Sequence, residues 1–170
     1  MKKIFLFIIL LSVSFVAQAQ ERQFKFGFIS YDAAIKEMPE YAIVQKNLTD
    51  LKSKYDAETK RSEDEFNKKY EEFLDGQRDF APAILQKRQA ELQDMMEKNI
   101  AFKNESRRLL QQAEKDAYAP LQSKLDALLQ RIGKERGYAF ILNTDNNALP
   151  FVDLVQGENV IGLVREATKR

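Results

Sequence analysis

Asp75-Gly76-Gln77-Arg78-Asp79-Phe80-Ala81-Pro82 is the only stretch between Pro39 and Pro120 that holds a glycine or a proline. A long pattern of apolar and charged residues runs into it from each side. It therefore reads as the turn of a helical hairpin. On the N-terminal side, from about Glu40 to Leu74, Tyr41, Val44, Leu48, Leu51 and Tyr55 recur at alternating steps of three and four. That spacing is a coiled-coil seam. The seam fades over Asp56–Glu65, which is nearly all polar, and resumes at Phe66 and Phe73 after an 11-residue step from Tyr55. Such a step is closer to a straight or right-handed drift than to a strict heptad.

On the C-terminal side a second helix is expected from Ala83 to about Gly133. It carries Leu85, Leu92, Met95, Met96, Ile100, Phe102, Leu109, Leu110 and Ala113, and then a denser face of Leu121, Leu125, Leu128, Leu129 and Ile132. Pro120 should kink this helix or remove one of its hydrogen bonds. Gly133 and Gly137 offer stop signals. Antiparallel partners share a midpoint, and Leu48 with Leu109, Tyr55 with Phe102 and Phe73 with Ile84 all place it near Arg78, inside the proposed turn.

The flanks read differently. Phe24-Lys25-Phe26-Gly27-Phe28-Ile29 alternates aromatic with other residues, the period of a strand with one buried face. Ser30 or Asp32 can cap a following helix. Tyr138–Thr144 predicts a strand, Asp145-Asn146-Asn147 a hairpin turn, and Ala148–Val155 a second strand. Asn159 can cap a last short helix carrying Val160, Ile161, Val164 and Ala167. The expected fold is mainly α with a small β part. A long antiparallel coiled-coil hairpin, residues 39–119 with its tip near 75–82, stands on a β-rich head made from 20–38 and 120–170. A head of about 70 residues gains limited stability from one core. Several copies completing a shared sheet or barrel would supply the rest and remove exposed strand edges.

The whole chain has 170 residues, too few for two ordinary domains. Lys2 and Lys3, the apolar run Ile4–Val16 and Ala17-Gln18-Ala19 form the three parts of a secretory signal peptide over residues 1–19, cleaved after Ala19. The apolar run falls short of the roughly 18 residues that a membrane span needs. Cleavage leaves 25 basic against 26 acidic residues, a net charge of −1. That balance argues against nucleic-acid binding, which calls for a basic excess. The chain has no histidine and no cysteine, so disulfides, zinc thiolate sites, thiol nucleophiles and histidine acid–base catalysis are excluded. No P-loop, GxGxxG, GxSxG or HExxH motif occurs. Glu63-Asp64-Glu65 and Glu71-Glu72 read as a charged helix surface rather than a metal site, and Asp145-Asn146-Asn147 lacks EF-hand spacing. The reading is a non-enzyme without cofactor or metal, and any folding assistance it gives must be independent of ATP.

Two packed helices bury one stripe each. Yet Phe66, Tyr70, Phe73, Phe80, Met95, Met96, Ile100 and Phe102 occupy more than one stripe. Met95 and Met96 are adjacent and point about 100° apart. Some of this apolar surface should stay exposed as a binding surface, with methionine suited to varied partners. The plainer alternative is that all of these residues are seam.

Three segments carry a family resemblance. Phe26-Gly27-Phe28-Ile29-Ser30-Tyr31-Asp32 followed by Met38-Pro39-Glu40-Tyr41 is similar to the opening strand and helix start of the Skp (OmpH-like) family of periplasmic chaperones. Ala119–Leu125 with Lys134-Glu135-Arg136-Gly137-Tyr138 resembles the return helix and its exit, and Ala148–Asp153 the last-strand region. The resemblance implies a homotrimer in which a small β-barrel-like trimerisation head holds three helical tentacles around a cavity. Unfolded outer-membrane β-barrel proteins are held there before membrane insertion. Mapped onto this chain, the head would use Phe24, Phe26, Phe28, Phe140, Leu142, Phe151 and Val152. Client contacts would add Ile84, at the tip, to the eight arm residues above. Well-known members are strongly basic. The near-neutral charge here puts lipopolysaccharide and anionic-membrane binding in doubt and leaves apolar contact as the main source of client affinity. The rival reading is a structural coiled-coil spacer or adaptor of the envelope that binds one partner.

Overall fold

The computed structural model describes residues 24–169. The signal peptide read over residues 1–19, with its cleavage after Ala19, lies outside the described residues. In chain order the elements are strand β1 (Phe26–Ile29), helix α1 (Tyr31–Lys36), helix α2 (Tyr41–Gly76), helix α3 (Pro82–Arg136), strand β2 (Ile141–Asn143), a 3-10 turn (Asp145–Asn147), strand β3 (Gly157–Asn159) and helix α4 (Ile161–Thr168). The chain is mainly helical with a small β part, and it divides into two compact units. One comprises residues 35–126; the other comprises 24–34 and 127–169.

The second unit contains the sheet, in the order β2-β1-β3. Both neighbours run parallel to β1: Gly27 lies opposite Ile141 and Phe28 opposite Leu142 on one side, and Phe26 lies opposite Gly157 on the other. A parallel pair needs a long crossover, and the residues between β1 and β2 supply one. Two sequence expectations are corrected here. Ala148–Val155 is not a strand; the third strand lies at Gly157–Asn159. Asp145–Asn147 is not a hairpin turn, because β2 and β3 each pair with β1 and not with one another. Asn146 and Asn147 both take left-handed φ, 55° and 56°, and turn the chain out of the sheet. Pro150 lacks the N–H that a central strand must donate. The chain by itself holds an open sheet with two edges rather than a closed barrel.

The alternation in β1 has the expected period, but the aromatic face is not the buried one. Gly27 and Ile29 point into the core, with Ala34, Ile132, Val160 and Val164, whereas Phe26 and Phe28 are only half-buried. A Cβ on Gly27 would stand 3.0 Å from both Ile141 Cγ1 and Val160 Cγ1, so any side chain there would press both neighbours outward. Full burial of each of the large aliphatic side chains contributes about 1.5–3 kcal/mol.

Ser30 caps α1 as expected: its Oγ accepts the Ala33 N–H at 3.0 Å and donates to Asp145 Oδ1 at 2.6 Å. Asp145 Oδ2 accepts the Asp32 N–H at 3.0 Å. These bonds, led by the one from Ser30, hold the Asp145 carboxyl below the usual carboxylate range. Asn159 Oδ1 accepts the Ile161 N–H at 3.0 Å at the start of α4.

Helix α3 passes Pro120 without ending and stops at Gly137, whose φ is +67°, rather than at Gly133. Gly137 N–H donates to Lys134 O at 3.4 Å and Tyr138 N–H to Gly133 O at 3.0 Å, the paired bonds of a Schellman stop.

In the unit of residues 35–126, α2 and the first part of α3 run antiparallel around the turn 77–81. The partners of α2 fall in number as its own residues rise: Glu40 meets Lys124, Tyr41 meets Tyr118, Tyr55 meets Phe102, Ser62 meets Asn99, and Phe73 meets Phe80 across the turn. Ile35, Met38, Leu121 and Leu125 form its buried apolar cluster.

Candidate binding surfaces

The α2–α3 pair changes character along its length. At its base Leu125 is fully buried, Tyr41 and Tyr118 lie 6.2 Å apart, and Gln45 Nε2 donates to Tyr118 Oη. Burial raises the Tyr118 phenol above its ordinary range. Lys124 donates to the Glu40 carboxylate and holds it below its usual range.

A polar waist follows. From Asp56 to Glu65 the half-buried positions are Glu58, Thr59 and Ser62, none of them apolar. Asn99 Nδ2 donates to Ser62 O at 3.1 Å, and Lys103 reaches Glu63 at 3.3 Å.

Beyond the waist the apolar residues return on more than one stripe. Phe66 stacks on Tyr70 with ring centroids 6.0 Å apart, and Phe73 lies 6.3 Å from Phe80. A Cβ on Gly76 would sit 2.6 Å from the Phe80 ring, so glycine lets that ring fold back at the turn. Phe73, Phe80 and Leu92, with Lys69, Glu72 and Arg88, line a cavity of ≈ 90 Å³. That is room for part of one side chain, well below the roughly 300 Å³ of a small-molecule pocket.

The nine arm residues singled out from sequence fall into two groups. Phe66, Phe73, Phe80, Met95 and Phe102 are half-buried, four of them in ring pairs. Tyr70, Ile84, Met96 and Ile100 are 45–55% exposed. Leu74, 43% exposed, belongs with this second group and was not picked out, although it lies next to Phe73 and off its stripe. The surrounding charges are tied along their own helices, as in Lys60–Asp64, Glu58–Arg61–Glu65, Lys87–Glu91 and Asp94–Lys98. They keep the surface solvated without giving it a strong field of either sign.

The sheet unit presents a second apolar surface. Phe140 contacts Phe24 at 5.2 Å and Phe26 at 5.7 Å between ring centroids. Phe24 and Phe140 are exposed, and Phe28 and Leu142 are half-buried beside them. In the loop after the 3-10 turn Phe151 is 81% exposed and Val152 half-buried. Leu154 and Val155, 75% and 84% exposed, extend this patch. In the sequence their alternation reads as a strand, which hides an exposed loop. A groove beside β3 is lined by Phe28, Tyr138, Leu154, Val155 and Glu158. Burial, and then the bond that Tyr138 Oη donates to Glu158, push the Tyr138 phenol up to about 12.

Among the described residues no cluster of metal-ligating side chains occurs, and no helix is long and apolar enough to cross a membrane. A family model described as outer membrane protein (OmpH-like) matches residues 25–156. Among solved structures, the chain is similar to a Caulobacter crescentus protein described as an OmpH-like outer membrane chaperone. That likeness has a TM-score of 0.68 at 14% identity, over 85% of this chain and 83% of the other. At that identity the likeness is one of fold. No curated protein matches by sequence at a significant level.

Proposed function

The chain belongs to the OmpH-like family, and from that premise we propose that it is an ATP-independent holdase of the periplasm. Its clients are unfolded outer-membrane β-barrel proteins, kept from aggregating before insertion. The observation that carries this reading is the far half of the α2–α3 pair. There Tyr70, Leu74, Ile84, Met96 and Ile100 stand about half exposed on helices whose charges neutralise one another. Apolar side chains left in the open in this number mark a binding surface. Its spread along two helices suits many weak contacts, which add by multivalency. Phe66, Phe73, Phe80, Met95 and Phe102 would line the same surface.

In this proposal residues 39–119 form a coiled-coil arm, and 20–38 with 120–170 form the head. Three copies join through Phe24, Phe26, Phe28, Phe140, Leu142, Phe151 and Val152, closing their sheets into a barrel-like trimer. The hairpins of the three would enclose the client. The open edges of β2 and β3 and the uncovered aromatic face support such an assembly. Release follows when a client folds into the membrane and withdraws its apolar strands. No catalytic step, nucleic acid or cofactor enters this reading. The near-neutral arm gives lipopolysaccharide and anionic lipid little to bind.

Light scattering of the processed protein gives its mass, expected to be three chains. Mixing it with a urea-diluted outer-membrane barrel should then suppress aggregation at one trimer per client. Serine at Phe66, Phe73, Met95 and Phe102 should weaken that protection more than surface lysine changes do. Unchanged aggregation with the wild type would favour the spacer or adaptor reading instead.

A further inference from the structure

We propose that the Met95-Met96 pair is an oxidation site, with Met96 its first target, and that a hydroperoxide switches off the far half of the arm through it. The proposal rests on the holdase reading for its consequence, but not for the site itself. The chain has no cysteine and no tryptophan, so thioethers are its most readily oxidised side chains. Among the described residues the methionines are Met38, Met95 and Met96. They are graded by access: Met38 is 2% exposed, Met95 half-buried and Met96 47% exposed.

The local sequence keeps Met96 open. Its polar neighbours are engaged with one another along the helix. Asp94 pairs with Lys98 at 2.6 Å, and Gln93 Nε2 donates to Glu97 at 3.0 Å. None of these long side chains is committed to covering the thioether. Leu92, Met96 and Ile100 stand at successive steps of four, one helix face, so Met96 is the middle of an apolar strip. Leu92 also lines the small cavity at the turn. A polar group placed at Met96 therefore interrupts the strip rather than trimming its end.

The step balances with one peroxide. A sulfur lone pair attacks the terminal oxygen, the O–O bond breaks, and the departing hydroxide or alkoxide leaves as water or alcohol after taking the proton. Sulfur is oxidised by two electrons and the peroxide is reduced by two. The product is a sulfoxide, a strongly polar acceptor where an apolar group stood. Thiol-dependent reduction of the sulfoxide restores the thioether, so the switch can be reset.

The processed protein is treated with hydrogen peroxide, and peptides are weighed over time. One oxygen should appear first on Met96 and then on Met95, with Met38 at least roughly tenfold slower. Circular dichroism should stay unchanged while suppression of barrel aggregation falls several-fold, and methionine sulfoxide reductase should restore it. M96Q should hold more weakly than wild type without peroxide. In M96L, whatever its own starting level, peroxide should remove a much smaller fraction of holding. Equal oxidation of Met38 and Met96 overturns the site. Undiminished holding by the oxidised protein overturns the switch. Failure of the untreated wild type to hold would count against the holdase reading, while the order of oxidation would still decide the site.

Discussion

At the base of the α2–α3 pair Leu121 and Leu125 are sealed and the tyrosines at 41 and 118 face each other. Past the waist no apolar side chain of α2 or α3 is fully buried up to the turn, and Met96 and Ile100 stand in the open. Both ends carry leucines and aromatics on charged helices. The difference lies in how many stripes those residues occupy. One stripe per helix can be closed by the partner helix. A second stripe has nothing to close it in a two-helix unit and stays wet. The base is thus a clamp with one large apolar side chain in the open, Ile43 at 62% exposure, whereas the far half leaves Tyr70, Leu74, Ile84, Met96 and Ile100 open together.

The largest expected effect tests the clamp. Leu125→Ala removes a fully buried side chain and should cost about 2–5 kcal/mol, read as a lower midpoint of thermal unfolding. Ile100→Ala, at 55% exposure, should cost less than about 1 kcal/mol. Equal losses would mean that the two ends are alike after all. Next comes the converse. Changing Tyr70, Ile84, Met96 and Ile100 together to serine should leave the melting midpoint within a few degrees of wild type and cut protection of an unfolded barrel several-fold. If melting and protection fell together, the outer stripe would be part of the fold.

The clamp and the turn were legible in the sequence because they rest on local chemistry. The steps of three and four from Tyr41 to Tyr55 and the isolated Gly76 and Pro82 each admit one reading. Tyr55 does meet Phe102, as the shared midpoint requires. The sheet was harder. Period two in Phe24–Ile29 announces a strand but not which face is inward. Gly27 and Ile29 face the core, where Gly27 sits tightly against Ile141 and Val160. Parallel pairing is a property of crossovers, invisible in any one strand, and so Asp145–Asn147 looked like a hairpin. The alternation of Ala148–Val155 belonged to an exposed loop whose Leu154 and Val155 extend the apolar patch. Of the nine arm residues, periodicity marks eight as apolar surplus, and the family resemblance adds Ile84. Periodicity did not separate Met96, in the open, from Met95, its half-buried neighbour.

The waist sharpens the comparison further. With Glu58, Thr59 and Ser62 as its half-buried positions and Asn99 bonded to Ser62, the seam there gains little from apolar burial, and local opening should be easier than at the base. Hydrogen exchange should find the amides of 57–65 exchanging roughly tenfold faster than those of 44–52. Uniform protection along α2 would show that helix propensity, not the seam, sets its stability.

The smallest effect concerns the ion pair at the base. Lys124 holds the Glu40 carboxyl below its ordinary value of 4.5, mainly through the hydrogen bond it donates. A carboxyl lowered on folding adds stability that is present in full above the unfolded value. That stability is lost as pH falls through the folded value, because the unfolded chain then binds the proton more readily. The window lies below about pH 4.5. The side chains are 42% and 56% exposed, so solvent screening keeps the contribution to well under 1 kcal/mol. Asp145 in the sheet unit has the same sign, held by Ser30 and the Asp32 N–H, and would mask Glu40 in a bulk acid titration. Lys124→Gln separates the two. It should remove only part of the acid-side loss in melting midpoint and leave the midpoint near neutral pH almost unchanged. An unaltered acid profile would place the effect in the other lowered carboxyls, Asp145, Glu58 and Glu105, and leave the base held by its buried apolar side chains and the tyrosine pair.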